Sequence, residues 1–95
     1  MQSFMIRIIL HSPVEGAYVK LHTIMKAKGF ERTIFAVTGK RFSIPTAEYI
    51  SSSNKATQDV LDDAKACANA VDTDNGVMVV RYDECFFNGL KEIPD

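Results

Sequence analysis

Two histidines, His11 and His22, are the only side chains of this 95-residue sequence that titrate near neutral pH when unperturbed. A neutral imidazole can take a proton from a hydroxyl, and RNA carries a 2′-hydroxyl beside every phosphate. One imidazole plus one cation at the phosphate is therefore a minimal set for cleaving RNA. His11 is the candidate base, because it closes a strand-like run just ahead of a helix-like run; the plainer reading is a surface histidine at a strand end. His22 falls at the edge of a helical apolar stripe and reads as boundary packing. Arg7 lies four residues before His11, hence on the same face of a strand. It reads as a phosphate contact, or with Tyr82 as a stacking platform for bases. Against that stands a snorkelling side chain or a salt bridge between subunits. Arg32, Lys40 and Arg41 cluster around a hairpin. Loop cations are ordinarily just solvated; converging with Arg7, these three would form a phosphate-binding rim.

Other residue types contribute less. Asp62, Asp63, Asp72 and Asp74 have neither calcium-loop nor two-metal spacing and read as solvated faces, so no metal site is expected. No glycine-rich phosphate loop is present, and no cofactor is expected. Ser51 to Asn54 reads as a helix cap rather than a nucleophile. Tyr18, Phe35, Phe42, Tyr49, Phe86 and Phe87 read as core or interface aromatics. Cys67 and Cys85 match no metal motif. With no basic segment leading into a long apolar one, no secretory leader is expected, so both read as reduced thiols in the cytoplasm.

The elements that must position these groups follow from periodicity. Phe4 to His11 alternates: Phe4, Ile6, Ile8 and Leu10 make an apolar face, and Met5, Arg7, Ile9 and His11 a mixed one. Val14 to Lys28 reads as a helix, with Ser12 as N-cap, Pro13 in the first turn and Glu15 at the capping-box position. Val14, Ala17, Tyr18, Leu21, Ile24 and Met25 form its stripe, and Gly29 ends it. Thr33 to Ser52 reads as a hairpin with a strand over Thr33 to Val37 and a turn at Gly39-Lys40-Arg41. Pro45 cannot lie in a central strand, so the third strand starts near Thr46. Lys55 to Val71 is a second helix capped by Ser53 or Asn54, with a stripe of Ala56, Val60, Leu61, Ala64, Cys67, Ala68 and Val71. Val77 to Tyr82 is a fourth strand. Asp83 caps a short terminal helix over Glu84 to Leu90.

That βαββαβ order is the split-βαβ, ferredoxin-like arrangement in one α+β domain over residues 1–95. Right-handed crossovers give the strand order 4-1-3-2 in a four-stranded antiparallel sheet, with both helices on one face. The other face is then bare. Met5 and Ile9 on a bare face call for a cover, and the simplest is a second copy in a two-fold homodimer.

At 46% hydrophobic and 24% charged residues the chain is of globular composition, which excludes a disordered tail or a fibre. No apolar run approaches a membrane span. Net charge is −1, but residues 1–55 carry eight Lys/Arg against three Asp/Glu, and residues 56–95 carry three against nine. The basic half suits phosphates; folding that interleaves the halves would neutralise it.

On this frame the chain resembles the GhoS family, antitoxin endoribonucleases of type V toxin–antitoxin systems, related to the ferredoxin-like nuclease subunit of CRISPR spacer integration. The resemblance runs over about Ile6 to Val71. It covers the strand ending before Ser12-Pro13, the helix with Leu21 and Met25, the turn Gly29-Phe30, and the hairpin passing Gly39 and Ile44-Pro45 to Glu48-Tyr49. In the CRISPR-associated relatives a carboxylate ends the first strand and can hold a divalent metal. Here His11 stands there, and hard cations prefer oxygen. The resemblance therefore implies single-stranded RNA binding or metal-independent RNA cleavage, as in the antitoxin branch. The rival is a non-enzymatic accessory or mobile-element protein acting through its sheet face or its dimer, which the acidic second half favours.

Overall fold

Alternation sets the centre of the fold. In the computed structural model, which describes residues 1–94, β1 (Gln2–Leu10) buries Phe4, Ile6, Ile8 and Leu10 and leaves Arg7 and Ile9 exposed. β1 lies between β4 (Glu48–Ser53) and β5 (Asn75–Tyr82) in an antiparallel sheet of order β4-β1-β5. Both helices, α1 (Ala17–Ala27) and α2 (Thr57–Asn69), cover the buried side. Leu21 and Met25 of α1 and Val60, Ala64, Cys67 and Ala68 of α2 form one cluster with the apolar set of β1 and with Phe30 and Tyr49. Among the described residues no element covers the other side of the sheet along β1, as the exposure of Arg7 and Ile9 records.

The ends of α1 are built differently. At its C-terminus the N–H of Gly29 (φ 96°) donates to Lys26 O and that of Phe30 to Met25 O. This is the Schellman pattern that the glycine predicts. At its N-terminus the Ser12 cap does not form. Gly16, at φ 79°, holds the capping position with no side-chain hydrogen bond, and the helix starts at Ala17, which leaves Val14 exposed. Ser12 is used elsewhere: its N–H donates to Asp72 Oδ2 and its hydroxyl to Asp74 Oδ2. Likewise α2 begins at Thr57 after an uncapped Ala56, because the Ser53 hydroxyl accepts the Lys55 N–H instead.

The expected second strand, Thr33 to Val37, leaves the main sheet. Glu31 and Ile50 exchange both backbone hydrogen bonds, at 2.8 Å each, as an isolated bridge on β4. The chain then turns away, and β2 (Thr33–Phe35) pairs with β3 (Arg41–Ser43) instead. Gly39 (φ 86°) sits in the turn as predicted, but Arg41 belongs to β3. The expected terminal helix over Glu84 to Leu90 does not form. That segment is irregular, Gly89 takes φ 80°, and β6 (Glu92–Ile93) adds to β3. Asn88-Gly89 disfavours a helix, and the segment gains a Phe87–Phe42 ring contact at 5.2 Å and a Ser43 N–H to Lys91 O bond. The expected single four-stranded sheet is thus two three-stranded ones, the second of order β2-β3-β6. β4 begins two residues later than expected, because Ala47 takes φ 73°, a conformation outside a strand.

Candidate functional site

Cross-strand register orders the open face into rows of directly opposed residues, which share a face. From one end these are Ser52–Ser3–Tyr82, Ile50–Met5–Val80, Glu48–Arg7–Met78, and then Ile9 beside Gly76. His11 follows Leu10 at the far end, where its N–H donates to Asp74 O.

His11 and Arg7 come together. They line one shallow groove of about 250 Å3 with Ile9, Gly76, Val77 and Met78. The imidazole lies over Gly76: a Cβ there would sit 3.6 Å from His11 Nε2, an ordinary contact. The ring thus stacks on the strand opposite Ile9, with room there for a methyl group as well. The loop after α2 holds this end in position. Asp74 N–H donates to Asp72 Oδ1 in an Asx turn, and the two carboxylates hold the backbone and hydroxyl of Ser12. Asn75 donates to Asn69 Oδ1 and Asp72 O, and receives Lys65 Nζ at 2.6 Å. Asp72 and Asp74 are therefore positioning groups for the strand end that carries His11, not merely solvated acids. Among the described residues no three His, Cys, Asp or Glu side chains gather as a metal-ion set.

The other candidate cations lie apart. Arg41 borders a wider groove of about 400 Å3 at the Tyr82 end of the face, with Glu31, Thr33, Phe35, Ile50 and Ser52. Lys40 sits at the hairpin, 3.8 Å from Glu92 in an exposed pair; such a pair contributes little. Arg32 lies beside α1, in a pocket with His22, Thr23, Lys26, Glu31 and Thr33. Arg7 and Tyr82 share the face but lie two rows apart, about 13 Å along the strand at its ~3.3 Å rise, so they form no joint platform.

One polar cluster lies outside the sequence reading. His22 Nδ1 is 2.6 Å from the hydroxyl of fully buried Tyr49. Burial, opposed by Arg32, pushes the Tyr49 phenol up to about 12, so it stays protonated, and the imidazole tautomer sets which of the two groups donates. Burial, and then the charge of Arg32, holds the His22 imidazole below its ordinary value. Boundary packing describes His22 only in part. Its sequence signal is a histidine bordering an apolar stripe; its partner, 27 residues on, has no local signature. Cys67 and Cys85 are free thiols, and burial pushes the Cys67 thiol up. No helix among the described residues is long and apolar enough to cross a membrane. Comparison with known proteins returns no matching family model, no matching curated protein and no matching solved structure.

Proposed function

We propose that this chain is a small cytoplasmic RNA-binding protein of the antitoxin type that takes single-stranded RNA on the open face of its sheet. The observation that carries the reading is the shared groove of Arg7 and His11. It supplies a cation for a phosphate and an imidazole for a 2′-hydroxyl, on a flat surface open to a strand. In the cleavage step His11 accepts the 2′-hydroxyl proton. O2′ then attacks phosphorus, the P–O5′ bond breaks, and the departing 5′-oxygen takes a proton from water, leaving a 2′,3′-cyclic phosphate. Arg7 opposes the charge that builds on the phosphoryl oxygens. Arg41, Lys40 and Arg32 then serve neighbouring phosphates rather than the scissile one. The frame agrees with this family of folds when the Glu31–Ile50 bridge is read as the stub of a fourth strand of a ferredoxin-like sheet.

The second reading is a protein-binding module with no catalysis, its occupant a second copy. It is favoured by Ile9, Met78 and Val80, which lie together on the open face at 44%, 60% and 49% exposure. Arg7 and Glu48, opposed on that face, would each meet the other's counterpart across a two-fold axis. Size limits this reading. Three strands of six, nine and eight residues span about 14 Å across and roughly 20–30 Å along, roughly 350 Å2 in projection. A stable interface hides about 800 Å2 per partner, so this face alone makes a weak dimer that RNA can displace.

The test incubates the protein with single-stranded RNA in chelator, beside His11→Ala, Arg7→Ala and Ile9→Glu variants, with sedimentation run in parallel. Cleavage lost in His11→Ala, and binding weakened in Arg7→Ala with a shallower salt dependence, are expected. Neither binding nor cleavage by the parent protein removes the RNA reading. Monomer at every concentration removes the dimer.

A further inference from the structure

We propose that the pocket between α1 and the start of β2 is a binding site for a phosphoryl oxyanion, with the Arg32 guanidinium as its principal donor. The site is independent of the Arg7–His11 groove. It is an open concavity of about 280 Å3 lined by His22, Thr23, Lys26, Glu31, Arg32 and Thr33. The first observation is an orphan donor: Arg32 Nε is buried and has no hydrogen-bond partner. A buried charged donor without an acceptor is costly, and among the described residues no acceptor reaches it. The Nε itself is closed to solvent, so a phosphoryl group in the pocket would be held by the rest of the guanidinium, whose uncompensated charge it would offset.

The second observation is the company Arg32 keeps. Lys26 adds a second cation, and Thr33 a hydroxyl. Thr23 contributes no proton, because its hydroxyl donates to Val19 O. His22 Nδ1 is engaged by the Tyr49 phenol, which leaves Nε2 as the ring nitrogen without a partner, a donor in the Nε2–H tautomer and in the charged ring. Two groups oppose an anion: the Glu31 carboxylate on the rim, and the C-terminal end of α1, where Lys26 sits. Neither Arg32 nor Lys26 makes an ion pair with Glu31 among the described residues. Affinity for inorganic phosphate is therefore modest and rests on the arginine.

His22 reports occupancy. The charge of Arg32 helps hold its imidazole neutral. The groups facing it are Tyr49 from β4, Lys26 from its own helix, and Glu31 and Arg32 from the following segment. An oxyanion on Arg32 cancels the repulsion, so His22 takes up its proton at higher pH.

The experiment is an NMR titration of the His22 ring and the Arg32 Nε–H with inorganic phosphate, against chloride at equal ionic strength, and separately with a short oligouridylate. Saturable shifts of both signals and a higher His22 midpoint in phosphate are expected. Arg32→Lys should weaken binding at least tenfold, and Glu31→Gln should strengthen it. The Arg32 carbonyl, which accepts the Ile44 N–H, is untouched by the side-chain change. Response to both ligands assigns the site to phosphoryl groups in general; response to the oligonucleotide alone assigns it to backbone phosphates. No saturable shift with either, equal binding by Arg32→Lys, or weaker binding by Glu31→Gln overturns the proposal. His11→Ala should bind phosphate as the parent does, so loss of RNA cleavage and loss of this site remain separate results.

Discussion

Replacing Tyr49 by Phe removes one oxygen from the middle of the protein. The ring is fully buried, so its packing is retained and no cavity opens. What is lost is the 2.6 Å bond to His22 Nδ1. A neutral hydrogen bond contributes about 0.5–1.5 kcal/mol net, and a partner orphaned in a dry site adds about 1–3 kcal/mol. His22 lines an open pocket, so water can replace the phenol and the second cost is mostly avoided. The expected loss is about 1 kcal/mol, a fall of roughly 4–8 °C in Tm for a domain of this size. Tyr18→Phe is the matched comparison. The Tyr18 hydroxyl accepts the Leu10 N–H at the end of β1, where Leu10 is buried. Deleting that acceptor strands a backbone donor, so Tyr18→Phe should cost more, about 1–3 kcal/mol. Urea denaturation at pH 7.5 measures both. A Tyr49→Phe loss below about 0.3 kcal/mol, or a Tyr18→Phe loss smaller than that of Tyr49→Phe, refutes the argument that solvent access sets these costs.

Ala47→Gly should raise stability by about 0.5–1 kcal/mol in the same assay: a non-glycine residue at φ 73° costs roughly 1–2 kcal/mol, of which glycine's extra chain entropy cancels about half. Acidification should weaken the fold through His22. Its pKa lies below the ordinary 6.5 in the folded chain, so the unfolded chain binds the extra proton; stability is full above about pH 6.5, falls as pH drops through the folded value, and should fall less steeply in His22→Gln. Alkylation of the native protein should modify half-buried Cys85 well before Cys67, a residue 6% exposed whose thiol burial pushes up; mass spectrometry of the singly modified form decides it.

Local patterns carried most of the main layer. The alternation from Phe4 to Leu10, the stripe through Leu21 and Met25, the Gly29 stop, and the apolar face of α2 each depend on residues a few positions apart. What the pattern could not carry is competition between distant segments. Ser12 has every feature of an N-cap, yet Asp72 and Asp74, about 60 residues away, take its N–H and hydroxyl. Glu84 to Leu90 lost its helix to an unfilled strand edge and a Phe42 ring that no local window contains. The candidate site divides along the same line. Arg7 and His11 share a groove because a single strand sets their spacing. Arg32, Lys40 and Arg41 sit close in sequence but face three surroundings, since the chain turns at the Glu31 bridge. His22 and Tyr49 were each legible as packing and only together as a polar pair.

The single bridge at Glu31 divides the protein into two units of unequal depth. The cluster that holds β1 to both helices includes no residue of β2, β3 or β6; Ile34 and Ile44 are buried apart from it. The smaller sheet is tied to the larger by the paired bonds at Glu31–Ile50, while the Ile44 N–H to Arg32 O bond closes it on itself. Opening it exposes Ile34, Ile44 and the Phe42–Phe87 contact, whereas opening the main layer exposes the larger cluster of β1 and both helices, so amide exchange should release the two in that order. Arg32 and Thr33 stand on the small side of the seam and His22 and Lys26 on the large side. Anything bound between them acts as a rivet: it must be shed before the small sheet lifts, and it slows exchange there while leaving the centre of β1 unchanged.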